Sequence, residues 1–146
     1  MSSPKFFAYP GYGDAAKQNA HYSQAFRLPA GETIHISGQG GWATESQTGH
    51  DISDDIATEI AQAFVNVDVA LKNAGGRGME QVYKLVVYVT PDAAGGHNTQ
   101  ATGEVVGQLR EWFPDEEKIP LITLIGVASL AFPPMHIEVD ASAYLG

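Results

Sequence analysis

Apolar residues recur at two spacings along this 146-residue chain. Between residues 56 and 71 the step is three or four. Ile56, Ile60, Phe64, Val67 and Leu71 fall on one stripe of an amphipathic helix. Ser53 is placed to cap its start, Asp54 and Asp55 suit the positive end of the helix dipole, and glycines near Gly75 and Gly76 stop it. A second helix over 99–113 carries Ala101, Val105, Leu109 and Trp112 in register and ends at Pro114. Elsewhere the step is two. "QVYKLVVYVT" (81–90) is a β-branched, aromatic strand with Tyr83, Leu85, Val87 and Val89 on one face. "AFRLPAGETIHIS" predicts strands over 25–28 and 33–37 around a "PAGE" turn. Ile34 and Ile36 share one face of the second; His35 and Ser37 share the other. "KIPLITLIGVASLAFPPMHIEVD" (118–140) reads as a hairpin. An uncharged strand over 120–130 meets a Pro-Pro turn, and His136, Glu138 and Asp140 then alternate with apolar residues. The first thirty residues, rich in Gly, Pro, Tyr and Ala, predict only short irregular strands and turns.

The resulting order, β-β-α-β-α-β-β, predicts an α+β fold with one mixed sheet and both helices packed on one face. The length suits a single domain spanning 1–146. The strands around Val86, Tyr88, Ile122 and Leu124 are apolar on both faces. A chain this short has no third layer to offer, so further copies are the simplest cover, and a homo-oligomer is expected.

Composition narrows the chemistry. Hydrophobic residues make up 44% of the chain, an ordinary globular value. The chain has no cysteine, which excludes disulfides, thiolate metal sites and a cysteine nucleophile. A formal charge of −9 repels phosphate backbones and argues against nucleic-acid binding. No stretch has signal-peptide or membrane-spanning character, so a cytoplasmic location and no membrane partner are expected. The five histidines have no His-x-x-x-His or His-x-His spacing, so no metal is expected. "SGQGGW" has glycines but no following Lys-Ser/Thr and no helix start, which argues against a nucleotide loop.

"HYSQAFRLPAGETIHISGQGGW", the capped helix ending "VDVALKNAGG", "MEQVYKLVVYVT" and "IPLITLIGVASL…HIEVDASA" together resemble the Rid, or YjgF-type, family over residues 20–143. The resemblance implies a chorismate-mutase-like fold and a homotrimer with three clefts at its subunit interfaces. It also implies hydrolysis of reactive enamines and imines to keto acids and ammonia, with no metal or cofactor. The family's cleft tyrosine matches Tyr22, its strand-end serine and glycine match Ser37 and Gly38, and its last-strand glutamate matches Glu138. The family's "P-x-R-S/T" reads Pro120-Leu121-Ile122-Thr123 here, so Ile122 stands where the cleft arginine is expected. A frequent nearby cysteine corresponds to Leu124, and a second-helix asparagine falls on Val106 or Gly107. An arginine grips a carboxylate with two charge-assisted bonds, which isoleucine cannot do. Substrates bearing a free carboxylate are therefore disfavoured, unless Arg27 or Arg110 reaches the cleft.

Glu138 is the candidate acid/base, raised toward working range by an apolar cleft, against the plain reading of a solvent-facing strand position. Tyr22 and Ser37 are candidates to orient a carbonyl, imine or water; alternatively they are packing and turn residues. His35, on the face of Ser37, is a candidate substrate-binding acid or base if its ring enters the cleft, against the plain reading of a satisfied structural histidine, and Trp42, at the end of the Gly-rich loop, is a candidate cleft wall or a loop anchor. Two functions follow. One is an enzyme acting on a neutral or apolar imine, enamine or carbonyl compound by hydrolysis or tautomerisation, with weak or no turnover of 2-aminoacrylate. The other is a non-catalytic trimer that binds a metabolite.

Overall fold

Two long helices and a four-stranded sheet organise the computed structural model, which describes residues 3–146. The order is β1 (Lys5–Phe7), α1 (Tyr12–Ala20), β2 (Ala25–Arg27), β3 (Thr33–His35), α2 (Ile56–Asn73), β4 (Val82–Val89), α3 (Thr99–Trp112), β5 (Leu121–Gly126) and β6 (Ile137–Tyr144). The main sheet runs β3-β6-β4-β5, with β6 antiparallel to both neighbours and β4 parallel to β5. It is a mixed sheet, as expected, and both long helices cover the same face. Ile60, Phe64, Val67 and Leu71 of α2 and Ala101, Val105 and Leu109 of α3 are buried with Leu85, Val87, Val89, Ile137, Val139 and Ala141.

The caps hold each helix in place. Asp55, rather than Ser53, caps α2: its carboxylate accepts from Thr58 N at 3.0 Å and Thr58 Oγ1 at 2.7 Å. Ser53 Oγ accepts from Asp55 N and sets up the turn before it. Gly75 sits at φ +98°, the left-handed conformation that suits glycine after a helix, while Gly76 N returns to Leu71 O. Asn98 caps α3 by accepting from Ala101 N.

Three further expectations are corrected. The segment at 118–140 is not a hairpin. A parallel β4–β5 pair needs a crossover, and α3 provides it. That places β5 on one edge of β4, so β6 fills the other edge, and the connection 127–136 passes the end of β4. Likewise the "PAGE" turn does not pair its flanking strands: β2 pairs with β1 in a separate two-stranded sheet, and β3 pairs with β6. The N-terminal region also contains α1. Its Gly and Tyr content conceals a short helix fixed by tertiary contacts. Arg110 Nη2 donates to Gln18 O and Asn19 O at the helix end, and buried His21, in the left-handed conformation, bonds Phe113 O through Nε2 at 2.7 Å.

Candidate functional site

Strand alternation sends Glu138, Asp140 and Ser142 of β6 to the face away from the helices, beside Tyr88, Val86 and Lys84 of β4. Thr123 and Ile125 of β5 continue the same face. These side chains are half-buried or exposed, whereas the helix-facing residues of β4 and β6 are almost fully buried.

A one-residue irregularity next to β3 builds the centre of this face. His35 pairs with Ser142 and Ile36 N reaches Ala141 O, but Gln39 pairs with Val139. Three steps on one side match two on the other, so Ser37 and Gly38 form a bulge opposite Asp140. Gly38 thereby lies against the Glu138 side chain. A Cβ built on Gly38 would stand 2.6 Å from Glu138 Oε1 and 2.7 Å from its Cδ. Only the absence of a side chain lets the carboxylate rest there. The Glu138 carboxylate makes no hydrogen bond among the described residues, and the residue is half-buried. Ser37 is exposed at the bulge, and its carbonyl accepts from Gln39 Nε2. Burial pushes the neighbouring Asp140 carboxyl above its ordinary value, and the Lys84 charge offsets part of that rise.

The other candidates lie apart from this centre within one protomer. Tyr22 shares a hydrogen bond of 2.9 Å with Tyr12 and precedes Ser23, which bridges to Leu121 at the start of β5. Glu138 pairs near the other end of β4, opposite Tyr88. His35 has both ring nitrogens engaged, Nδ1 with Ser142 Oγ at 2.9 Å and Nε2 with Thr33 Oγ1 at 3.3 Å. Trp42 belongs to the loop after the bulge. Its carbonyl accepts from Asn66 Nδ2, and its ring packs over Gly40. Ile122 and Leu124 pair with Leu85 and Val87, so they pack at the edge of the helix-side core, on the face opposite Glu138. The two arginines are occupied elsewhere: Arg110 holds the end of α1, and Arg27 lies over the Phe7 ring.

The sequence profile of the Endoribonuclease L-PSP family matches residues 13–145. The chain belongs to this family. Its fold is that of Rid/YjgF-type proteins. YyfB of Yersinia pestis, described as a Rid-family protein of unknown function, superposes with a TM-score of 0.80 at 23% identity, covering 99% of this chain and 100% of its own. YyfA of the same organism gives 0.63 at 22%, with coverages of 84% and 86%. TdcF of E. coli, solved with bound serine, gives 0.61 at 22%, with coverages of 82% and 85%. No curated protein matches the chain.

This member of the L-PSP family also contains a polar pair that strand alternation misassigned. His136 does not share the outward row with Glu138. Its backbone N and its Nδ1 both donate to Glu59, at 2.7 Å each, and Glu59 is fully buried in the first turn of α2. The signal was present in the sequence: Glu59 interrupts the apolar stripe between Ile56 and Ile60. Its partner, 77 residues away, left no such mark. Lys84 was also missed as the cation facing Asp140. Among the described residues no group of three or more His, Cys, Asp or Glu could hold a metal ion, and no helix is long and apolar enough to cross a membrane.

Proposed function

We propose that this protein is a Rid-type small-molecule enzyme in which Glu138 moves protons on a neutral imine, enamine or carbonyl compound. The observation that carries the reading is the unpartnered Glu138 carboxylate, seated on Gly38 in the outward sheet face. In this reading three copies cover that face for one another and enclose the carboxylate at their interfaces. Glu138 takes a proton from water as its oxygen adds to the imine carbon and returns that proton to the nitrogen; it then relays the hydroxyl proton of the adduct to the same nitrogen and is left as the carboxylate. Collapse of the adduct releases the carbonyl compound and ammonia. Ser37, at the bulge, orients the water or substrate, and Tyr22 reaches a cleft from a neighbouring copy. Trp42 and His35 border the approach. Substrate neutrality rests on the family resemblance, which puts a carboxylate-gripping arginine at position 122; Ile122 supplies no charge there and packs at the helix-side core.

The experiment is ammonia release from small apolar imines. Turnover is expected, Glu138→Gln should lower kcat at least about a hundredfold, and 2-aminoacrylate should turn over weakly or not at all. Unchanged turnover in Glu138→Gln would remove Glu138 from the mechanism. The reading as a non-catalytic metabolite-binding trimer is favoured by the same missing cation. It takes over if ligands bind saturably and no imine is hydrolysed. The acidic balance of −9 argues against the RNA cleavage that the family's description names.

A further inference from the structure

The His136–Glu59 pair belongs to a different part of the molecule. A cleft of about 640 Å³ opens between the N-termini of α2 and α3 and the connection 127–136, and the His136 ring lines it. Neither Glu138, Ser37 nor Gly38 lines this cleft.

Both Glu59 oxygens are committed to one residue: Oε2 accepts from His136 N and Oε1 from His136 Nδ1. The carboxylate is fully buried, so an unpaired orientation would be costly and the imidazole is held in register. Nδ1 must carry the hydrogen, because a carboxylate only accepts. In the neutral ring the lone pair is therefore on Nε2, which has no partner among the described residues. The His136 side chain remains 45% exposed, in contrast to its fully buried partner. A clamp for the start of β6 needs only the backbone N–H. The second bond fixes the tautomer of a ring that faces open space.

The rest of the lining has one sign. Asp54, Asp55 and Asp92 contribute carboxylates, and no Lys or Arg lines the cleft. Asp55 and Asp92 have part of their hydrogen-bonding capacity filled by backbone N–H groups, but their charges remain. Phe132, Met135 and Ile56 supply apolar surface.

We propose that this cleft is a second ligand site, for a small ammonium compound with an apolar body, in which His136 Nε2 accepts an N–H of the ligand. The carboxylates provide the attractive field, the Phe132–Met135 wall takes the hydrocarbon portion, and Glu59 is the positioning residue that fixes the hydrogen on Nδ1, so that Nε2 is the accepting nitrogen of the neutral ring.

The test uses ¹⁵N-labelled full-length protein titrated at neutral pH with benzylamine, which is cationic there, and with benzyl alcohol as its uncharged counterpart. Benzylamine should shift the His136 ring nitrogens and the amides of Ala93 and Ser129 saturably, with affinity about tenfold or more above benzyl alcohol. His136→Gln should weaken benzylamine by a similar factor while the remaining amide spectrum stays folded. In Glu59→Gln the amide NH₂ faces Nδ1, so the ring nitrogen pattern should switch to the Nε2–H tautomer and amine binding should fall. A purely structural pair would not link these two readouts. Equal affinities for amine and alcohol, no saturable shift, or unchanged binding in His136→Gln would overturn the proposal, and His136→Gln decides the matter if Glu59→Gln does not fold. Each of these results leaves the Glu138 reading standing, because imine turnover is measured separately.

Discussion

A methyl group added at Gly38 would meet the Glu138 carboxylate at 2.6 Å, a distance that forces one of them to move. Gly38→Ala should therefore act on the site without unfolding the chain. Imine turnover is expected to fall severalfold or more while the circular dichroism spectrum is retained, and unchanged turnover would show that Glu138 works from another position. Asp140 gives a prediction in pH. Burial raises its folded-state pKa above the unfolded value of about 3.9, so the folded protein holds the proton more tightly. Stability is then lost as pH rises from the unfolded value through the folded one, and it stays lost above that. Asp140→Asn should melt at a higher temperature than the parent at about pH 7, and the advantage should vanish near about pH 3. An advantage that persists at low pH would assign the effect to something other than ionisation.

The helices were the most legible elements. An apolar stripe at three- and four-residue steps is a local property, and α2 and α3 formed close to where their stripes lie. The caps were less legible, since Ser53 and Asp55 both suit the role and only the final backbone geometry chooses Asp55. Asn98 at α3 does two jobs: its Oδ1 caps Ala101 N and its Nδ2 donates to Thr90 O, which ties the helix start to the end of β4. Asn98→Ala should cost about 1–2 kcal/mol in urea unfolding, the sum expected from a lost cap and an exposed buried carbonyl. Strand pairing was the least legible. β5 and β6 adjoin in sequence with turn residues between them, and this is what makes them read as a hairpin. They are separated in space because α3 commits β5 to β4 first.

Across the whole molecule, the sheet has one face sealed by helices and another that presents Tyr88, Val86, Thr123 and Ile125 beside Glu138. A trimer covering this face should sediment at three chain masses, and a charge placed at Ile125, which is 38% exposed, should dissociate it. Ile125→Asp remaining fully trimeric would put the interface elsewhere. The amino-acid sequence by itself determined the composition of the layers, because periodicity decides which residues can be buried together whatever they pack against. It also determined the glycine at 38 and the glutamate at 138. Tertiary structure alone decided which strands are neighbours. It brought Gly38 under Glu138 through a bulge, and it turned Ile122 toward the helix-side core rather than toward Glu138. It also joined Glu59 to His136 across 77 residues. Those relations depend on register and crossover order, which are set by the competition of all strands for edges and not by any short stretch of chain.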